Sequence, residues 1–142
     1  MRMIGGLLIA VCLLSRATIA QAPASEFQPV ATMKQLMVEI IHPASNEILL
    51  AVNRGQLRSD QEWTAVRRAA LALAESGNLL IMRNRASDWV AESRSLIDAG
   101  TAVYKAADAK DARAIASLTD RIDASCTSCH KKFRPALFAP VK

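Results

Sequence analysis

The chain has 142 residues, 51% of them hydrophobic and 22% charged, with a formal net charge of +5. This length and composition suit one domain with one apolar core. The basic residues are spread over predicted helical surfaces and do not cluster with aromatic residues, so the charge does not indicate nucleic-acid binding. We found no Ser/His/Asp set, phosphate-binding glycine loop or close carboxylate pair, and we predict that the protein is not an enzyme.

The first 20 residues have the features of a secretory signal peptide. Arg2 supplies a positive start, and residues 4–14 form an almost unbroken apolar run. This run is too short for a membrane span, which needs about 20 residues. Small residues at 17–22 surround the cleavage site, which we predict to follow Ala20. We therefore expect residues 21–142 to form a single periplasmic domain without a membrane span.

Export would change both the charge and the cysteine content of the chain. Arg2, Cys12 and Arg16 lie in the predicted signal peptide, so the basic residues fall from 18 to 16 against 13 acidic ones, a net charge of +3. The mature chain would keep Cys126 and Cys129, in an oxidising compartment.

Apolar periodicity is helical nearly throughout the mature chain, and no stretch shows sustained strand-like alternation. The first predicted helix begins near Pro29 and ends at Gly55. Its apolar stripe recurs at steps of three and four residues: Val30, Met33, Met37, Ile40, Ala44 and Ile48. Pro43 lies within this helix and should kink it, because proline removes a backbone donor and clashes with the preceding turn.

The second predicted helix begins at a capping-box pattern formed by Ser59 and Glu62. Its predicted buried stripe is Trp63, Val66, Ala70, Leu73 and Leu80. Gly77 costs about 1 kcal/mol relative to alanine inside a helix. We interpret it as a helix break, with close approach of a neighbouring helix or bound group as the alternative.

Two more helices complete the predicted fold. Ser87 or Asp88 should cap the third helix and Asp111 the fourth, which Pro135 terminates. Their buried candidates include Val90, Ile97, Val103, Ala107, Ile115, Leu118 and Ile122. Four amphipathic helices with short connections predict an all-α antiparallel four-helix bundle.

The last predicted helix carries the sequence CTSCH from Cys126 to His130. This is the pattern of covalent c-type haem attachment, in which each thiol adds to a haem vinyl group and the histidine becomes the proximal iron ligand. Residues i and i+3 share a helix face, so Cys126 and Cys129 can both reach the edge of one macrocycle. We predict one covalently bound haem c near the end of this helix.

Other uses of a C-x-x-C pattern fit the sequence less well. Structural zinc usually takes four Cys or His ligands, whereas His42 and His130 are the only histidines. A thioredoxin-like pair would follow a strand in an α/β pattern, which this chain lacks. A plain disulfide between Cys126 and Cys129 is the remaining alternative.

A single haem motif at the end of the last of four helices resembles the class II c-type cytochromes, the cytochrome c-prime group and its low-spin relatives. The resemblance is carried by CTSCHKKFR, where Phe133 and Arg134 follow the haem histidine as an aromatic and a basic residue do in that family. The segments MKQLMVEIIHPAS and AESGNLLIM are similar to a branch of secreted class II-like cytochromes. The resemblance covers essentially the whole mature chain.

The resemblance implies a haem within the bundle, with Cys126 and Cys129 as thioether attachments and His130 as the fifth iron ligand. Phe133 would pack beside the haem or against the bundle end. Arg134 would pair with a propionate or with nearby backbone, or lie in solvent. In the family the sixth position is either empty and screened by an apolar first-helix side chain, or filled by a first-helix methionine.

Met37 is our preferred sixth ligand. It shares a face of the first helix with Met33, four residues earlier, and lies deeper in the helix. A thioether is neutral and favours ferrous iron, which suits an electron carrier. Met33, His42, Met82 and an empty position are the alternatives, since methionine on an apolar stripe also serves as core filler.

Three functions follow from these alternatives. The first is a periplasmic monohaem electron-transfer protein that docks with a redox partner protein. The second is a five-coordinate protein of the cytochrome c-prime type that binds nitric oxide or carbon monoxide. The third is a non-enzymatic subunit of a larger redox complex. Family members often dimerise through the first two helices, so the resemblance also implies a homodimer.

Overall fold

The computed structural model describes residues 27–55 and 57–139. These residues form four helices and no strand, which confirms the predicted all-α helical bundle. None of the helices in this part of the chain combines the length and hydropathy of a transmembrane span. The predicted signal peptide and its cleavage site lie outside the described residues.

The first helix, α1, consists of three consecutive parts: an α-helical turn Met33–Gln35, a π-helical segment Leu36–Ile41 and an α-helix His42–Asn53. Helices α2, α3 and α4 span Asp60–Arg83, Ser87–Asp108 and Ala112–Phe133. A short 3₁₀ turn, Pro135–Phe138, follows α4. Helix α4 therefore ends just before Pro135, as predicted.

Contacts between consecutive helices show their relative directions. Arg67 in the first half of α2 forms an ion pair with Asp108 at the end of α3, with 3.2 Å between Nη1 and Oδ1. Near the end of α2, the Leu80 carbonyl accepts a 2.8 Å hydrogen bond from the indole of Trp89 at the start of α3. The same indole packs edge to face on Phe133 at the end of α4, with ring centroids 4.9 Å apart. The start of α3 therefore lies beside the ends of α2 and α4, and the end of α3 lies beside the first half of α2.

Buried apolar side chains from all four helices form one core. Its largest fully buried members are Leu36, Ile48, Val66, Leu73, Val103, Ile115 and Ile122. The stripe predicted for α2 is buried along its whole length. Each such Val, Leu or Ile side chain stabilises the fold by about 1.5–3 kcal/mol relative to exposure.

Helix α1 begins at Met33 and not near Pro29, so the predicted start is wrong. The Thr32 hydroxyl accepts a 3.2 Å hydrogen bond from the Gln35 N–H, and Gln35 Oε1 accepts a 2.9 Å bond from the Thr32 N–H. This capping box satisfies two backbone donors of the first turn, which Pro29 would not do.

The apolar stripe predicted for α1 is also wrong in its first half. Val30 and Ile40 are exposed and Met37 is half-buried, whereas Leu36 and Ile41 are buried. Leu36 and Ile41 are five residues apart, a spacing that matches the i to i+5 bonding of a π-helix and not the α-helical period of 3.6.

The π segment ends directly before the His42–Pro43 pair. The His42 N–H donates to the carbonyl of Met37, five residues earlier. In an α-helix, the ring of Pro43 would clash with the Glu39 carbonyl, which would also lose its donor. The sequence predicted a kink at Pro43, and the structure shows a change of helix type there.

Helix α2 continues through Gly77 without interruption, so the predicted break is wrong. A Cβ atom at Gly77 would lie 2.5 Å from Ile97 Cγ1 and 2.8 Å from the Ser93 carbonyl oxygen. The absence of a side chain therefore permits the close approach of α3, which was the alternative explanation.

Two of the three predicted helix caps are confirmed. The side chains of Ser59 and Asp111 accept backbone hydrogen bonds at the starts of α2 and α4. Helix α3 has Ala86 at its N-cap position, without a side-chain hydrogen bond, so the cap predicted at Ser87 or Asp88 is wrong. Ser87 is instead the first residue of the helix.

Gly100 is a second close contact between α2 and α3, and its replacement should destabilise the fold. A Cβ atom there would lie 2.6 Å from the backbone nitrogen of Ala74 and 2.9 Å from its Cα, so the helices would have to separate. We expect Gly100→Ala to lower the free energy of unfolding by about 1–3 kcal/mol, in spite of the higher helix propensity of alanine. Chemical denaturation measures this difference.

The matched control is Ser95→Ala, at an exposed position of the same helix. It should change the free energy of unfolding by no more than about 0.5 kcal/mol. A Gly100→Ala variant as stable as the wild type would contradict the proposed contact.

Candidate haem-binding site

A cavity of about 510 Å³ opens between α1 and α4. The interface between these two helices is the least extensive among adjacent helices of the bundle. Leu80 of α2 and Leu96 of α3 also line the cavity, and most of its lining is apolar. Its volume lies in the usual range of ligand pockets, about 300–1,000 Å³.

The CTSCH motif lines the α4 side of this cavity. Cys126, Cys129 and His130 all contribute to the wall, next to the buried side chains of Ile122 and Ser125. Positions i, i+3 and i+4 fall on one face of an α-helix, so local helix geometry brings the two thiols and the imidazole together. The structure therefore gathers the three central residues of the predicted site.

Neither thiol of the motif is in a disulfide. Burial raises the pKa of the Cys126 thiol, and the Asp123 carboxylate adds to the shift. Burial likewise raises the pKa of Cys129, with the Glu92 carboxylate as the next cause. Both shifts favour the protonated S–H form of the thiols. Addition of an S–H group across a haem vinyl double bond would form one C–S bond and pass the hydrogen to the other carbon.

Helix α1 brings two further donors to the cavity, Met37 and His42. Met37 is half-buried, and the exposed His42 ring lies beside the Asn46 side chain, with 3.4 Å between Nε2 and Nδ2. Met37 and His42 are five residues apart and are joined by the π-type backbone hydrogen bond. The π segment therefore places a thioether and an imidazole on the same side of α1.

The other two candidate methionines lie elsewhere. Met33 is half-buried and packs against the core one turn before Met37. Met82, near the end of α2, is 41% exposed. Neither contributes to the cavity wall, so Met37 and His42 are the candidate sixth ligands that the structure brings to the site.

Phe133 and Arg134 lie beyond the cavity wall. Phe133 packs on Trp89, and the Arg134 N–H donates a 2.7 Å hydrogen bond to the His130 carbonyl. The Arg134 side chain is exposed. These contacts lie at the end of α4, three residues after the motif, and pack that end against α3. A direct role of either residue towards a cofactor stays a prediction.

Glu92 and Asn46 are two polar examples of the cavity-wall residues that the sequence analysis missed. Glu92 reaches the cavity from α3, close enough to Cys129 to shift its pKa. Asn46 lies beside His42, and its spacing of four residues from that histidine was a usable signal. Glu92 carries no such signal, because it belongs to a different helix from every predicted site residue.

The residues around the cavity fit a covalently attached haem. The apolar lining suits the faces of a flat macrocycle, the open side suits its charged edge, and α4 supplies two thiols and an imidazole. Within the described ranges, no group of three or more His, Cys, Asp or Glu side chains could hold a metal ion by itself. Iron in haem needs only axial donors from the protein, because the porphyrin supplies the equatorial ones.

Comparisons of the chain with models of protein families, with curated proteins and with solved structures found no match. What the protein binds is therefore inferred from its own residues.

Proposed function

We propose that the protein is a periplasmic monohaem c-type cytochrome that transfers electrons, related to the class II c-type cytochromes that its motif resembles. The observation that carries this proposal is that Met37 of α1 and the CTSCH motif of α4 line the same cavity. A bound haem would supply an iron centre that changes its charge by one electron.

Three residues of the motif and one of α1 have distinct roles in this proposal. Cys126 and Cys129 would hold the haem through two thioether bonds, and His130 would donate an imidazole nitrogen to the iron. Met37 would donate its sulfur to the iron and thereby exclude water and small gases. A thioether also stabilises ferrous iron, which raises the reduction potential.

Other residues of the cavity would shift the reduction potential of a bound haem in opposite directions. The apolar side chains of Ile41, Leu80 and Leu96 exclude water, and low polarity disfavours the additional positive charge of the ferric state. The carboxylate of Glu92 lies at the same cavity and would favour the ferric state by its negative charge. A redox partner protein would dock at the open side of the cavity, where the distance to the cofactor is shortest.

A five-coordinate gas-binding protein is the second candidate function. Val38 and Ile41 line the α1 side of the cavity next to Met37. An apolar side chain in the sixth position would leave the iron open to nitric oxide or carbon monoxide. The choice between the two functions therefore depends on which α1 side chain faces His130.

Absorption spectra of exported, haem-loaded protein test the proposal. An electron carrier with methionine ligation should show the methionine–iron charge-transfer band when ferric and bind carbon monoxide slowly or not at all when ferrous. A high-spin ferric spectrum with rapid carbon monoxide binding would support the gas-binding function instead. A low-spin spectrum without the band would indicate His42 as the ligand. Exported protein that acquires no covalent haem would contradict both functions.

A further inference from the structure

The π segment of α1 fixes how Leu36, Met37 and Val38 are placed relative to the core and the cavity. Leu36 is 1% exposed in the core, whereas Met37 and Val38 both line the cavity, Met37 half-buried and Val38 58% exposed. A π-type bond spans five residues and an α-type bond four. The segment Leu36–Ile41 therefore holds one residue more than an α-helix would place between the same two core positions.

An α-helical form of this segment would change the distal wall. If the helix His42–Asn53 kept its place, each residue at the start of the π segment and before it would take the place that the preceding residue of the sequence has now. Met37 would then occupy the core position of Leu36, and Val38 would occupy the cavity position of Met37. The wall would present an isopropyl group, which cannot bind iron, in place of a thioether. The regular α-helical stripe predicted from the sequence, with Met37 in line with Ala44 and Ile48, corresponds to this arrangement.

Pro43 opposes the α-helical form. It has no N–H for the Glu39 carbonyl, and its ring would contact that carbonyl in an α-helix. In the π segment, the preceding His42 N–H donates to Met37 instead of to Val38. The wider π turn therefore leaves room for the ring of Pro43, which directly follows the His42 donor, next to the Glu39 carbonyl.

We propose that Pro43 is a positioning residue that holds the π segment and thereby selects Met37 over Val38 as the side chain facing His130. This inference rests on the proposed function and deepens it, since one residue of helix register separates a methionine-ligated electron carrier from an open gas-binding site. Pro43 acts through Met37 and does not itself line the cavity.

The test compares full-length, haem-loaded wild type with Pro43→Ala. Alanine favours the α-helix, so the variant should stay folded. We expect it to lose the methionine–iron charge-transfer band and to gain carbon monoxide binding. Pro29→Ala, the same substitution outside the helix, is the control and should keep the wild-type spectrum.

A second variant reverses the change. Deletion of Ile40 together with Pro43→Ala removes the additional residue, so that Leu36 and Met37 regain their places within a regular α-helix. Ile40 is 38% exposed and lies outside the cavity wall. The charge-transfer band should return in this double variant, which a merely structural role of Pro43 would not produce.

A crystal structure of Pro43→Ala gives a readout of register that does not depend on the spectrum. The acceptor of the His42 N–H should move from Met37 to Val38. Retention of the π segment, or of the methionine band, in Pro43→Ala would overturn the inference. If the wild type itself lacks the band, methionine ligation in the proposed function fails. The crystal structure of Pro43→Ala then decides the helix register of α1 separately. Val38 in the place of Met37 would support the role of Pro43, and an unchanged cavity wall would refute it.

Discussion

Replacement of both Cys126 and Cys129 by alanine should abolish covalent retention of haem by the protein. Both side chains line the cavity between α1 and α4, and neither is in a disulfide. Without the two sulfurs no thioether bond can form, so the cofactor should be lost on denaturation. Haem staining after denaturing electrophoresis, with the mass of the intact chain, measures this directly. Each single variant should keep the haem through its one remaining bond.

Ser128→Ala is the matched control for the double cysteine variant. Ser128 lies inside the same motif but is exposed and does not line the cavity. Its replacement should leave staining and mass at the wild-type level. His130→Ala separates attachment from ligation, because it should keep covalent staining while changing the spectrum. Covalent haem in the double cysteine variant would refute the assignment of the motif.

Replacement of Met37 by alanine should convert the site from six-coordinate to open. The Met37 thioether is the sixth ligand proposed for an electron carrier, and the Met37 side chain lies in the cavity wall. We expect complete loss of the methionine–iron charge-transfer band. The apparent affinity of the ferrous protein for carbon monoxide should rise by about tenfold or more, because the closed form no longer competes with binding. Absorption spectroscopy and carbon monoxide titration measure both changes.

Two methionine controls test whether the effect is specific. Met33→Ala removes a half-buried packing residue one turn away, and Met82→Ala removes an exposed residue of α2. Both should keep the band and the slow carbon monoxide binding. A His42→Ala variant that loses low-spin character, with Met37→Ala unchanged, would assign the sixth ligand to the imidazole instead.

The fold class follows from sequence periodicity because most of the helices are regular. In α2, apolar residues at α-helical spacing are buried along one face, and Ser59 caps the start as its capping-box pattern predicts. Such features depend on residues a few positions apart. The same reasoning failed at Gly77, because the helix is stabilised there by packing against Ser93 and Ile97, which are distant in the sequence.

The candidate site divides in the same way. The two thiols and the imidazole of the motif come together through the geometry of a single helix turn. Glu92 reaches the cavity from another helix, and nothing near it in the sequence indicates this position. Periodicity also could not separate the candidate sixth ligands, because Met33 and Met37 share one face of an ideal α-helix and only the second lines the cavity.

The sequence by itself determined the helical class, the position of the motif and the chemical groups that α4 presents, since all three depend on local spacing. Tertiary structure decided which part of α1 faces that motif. Burying both Leu36 and Ile41 in one core, directly before a proline, requires a π segment, and this segment moves Met37 from the predicted stripe to the cavity wall. Apolar periodicity did not reveal that shift, because it depends on the packing of α1 against the other helices, and Pro43 by itself predicted only a kink.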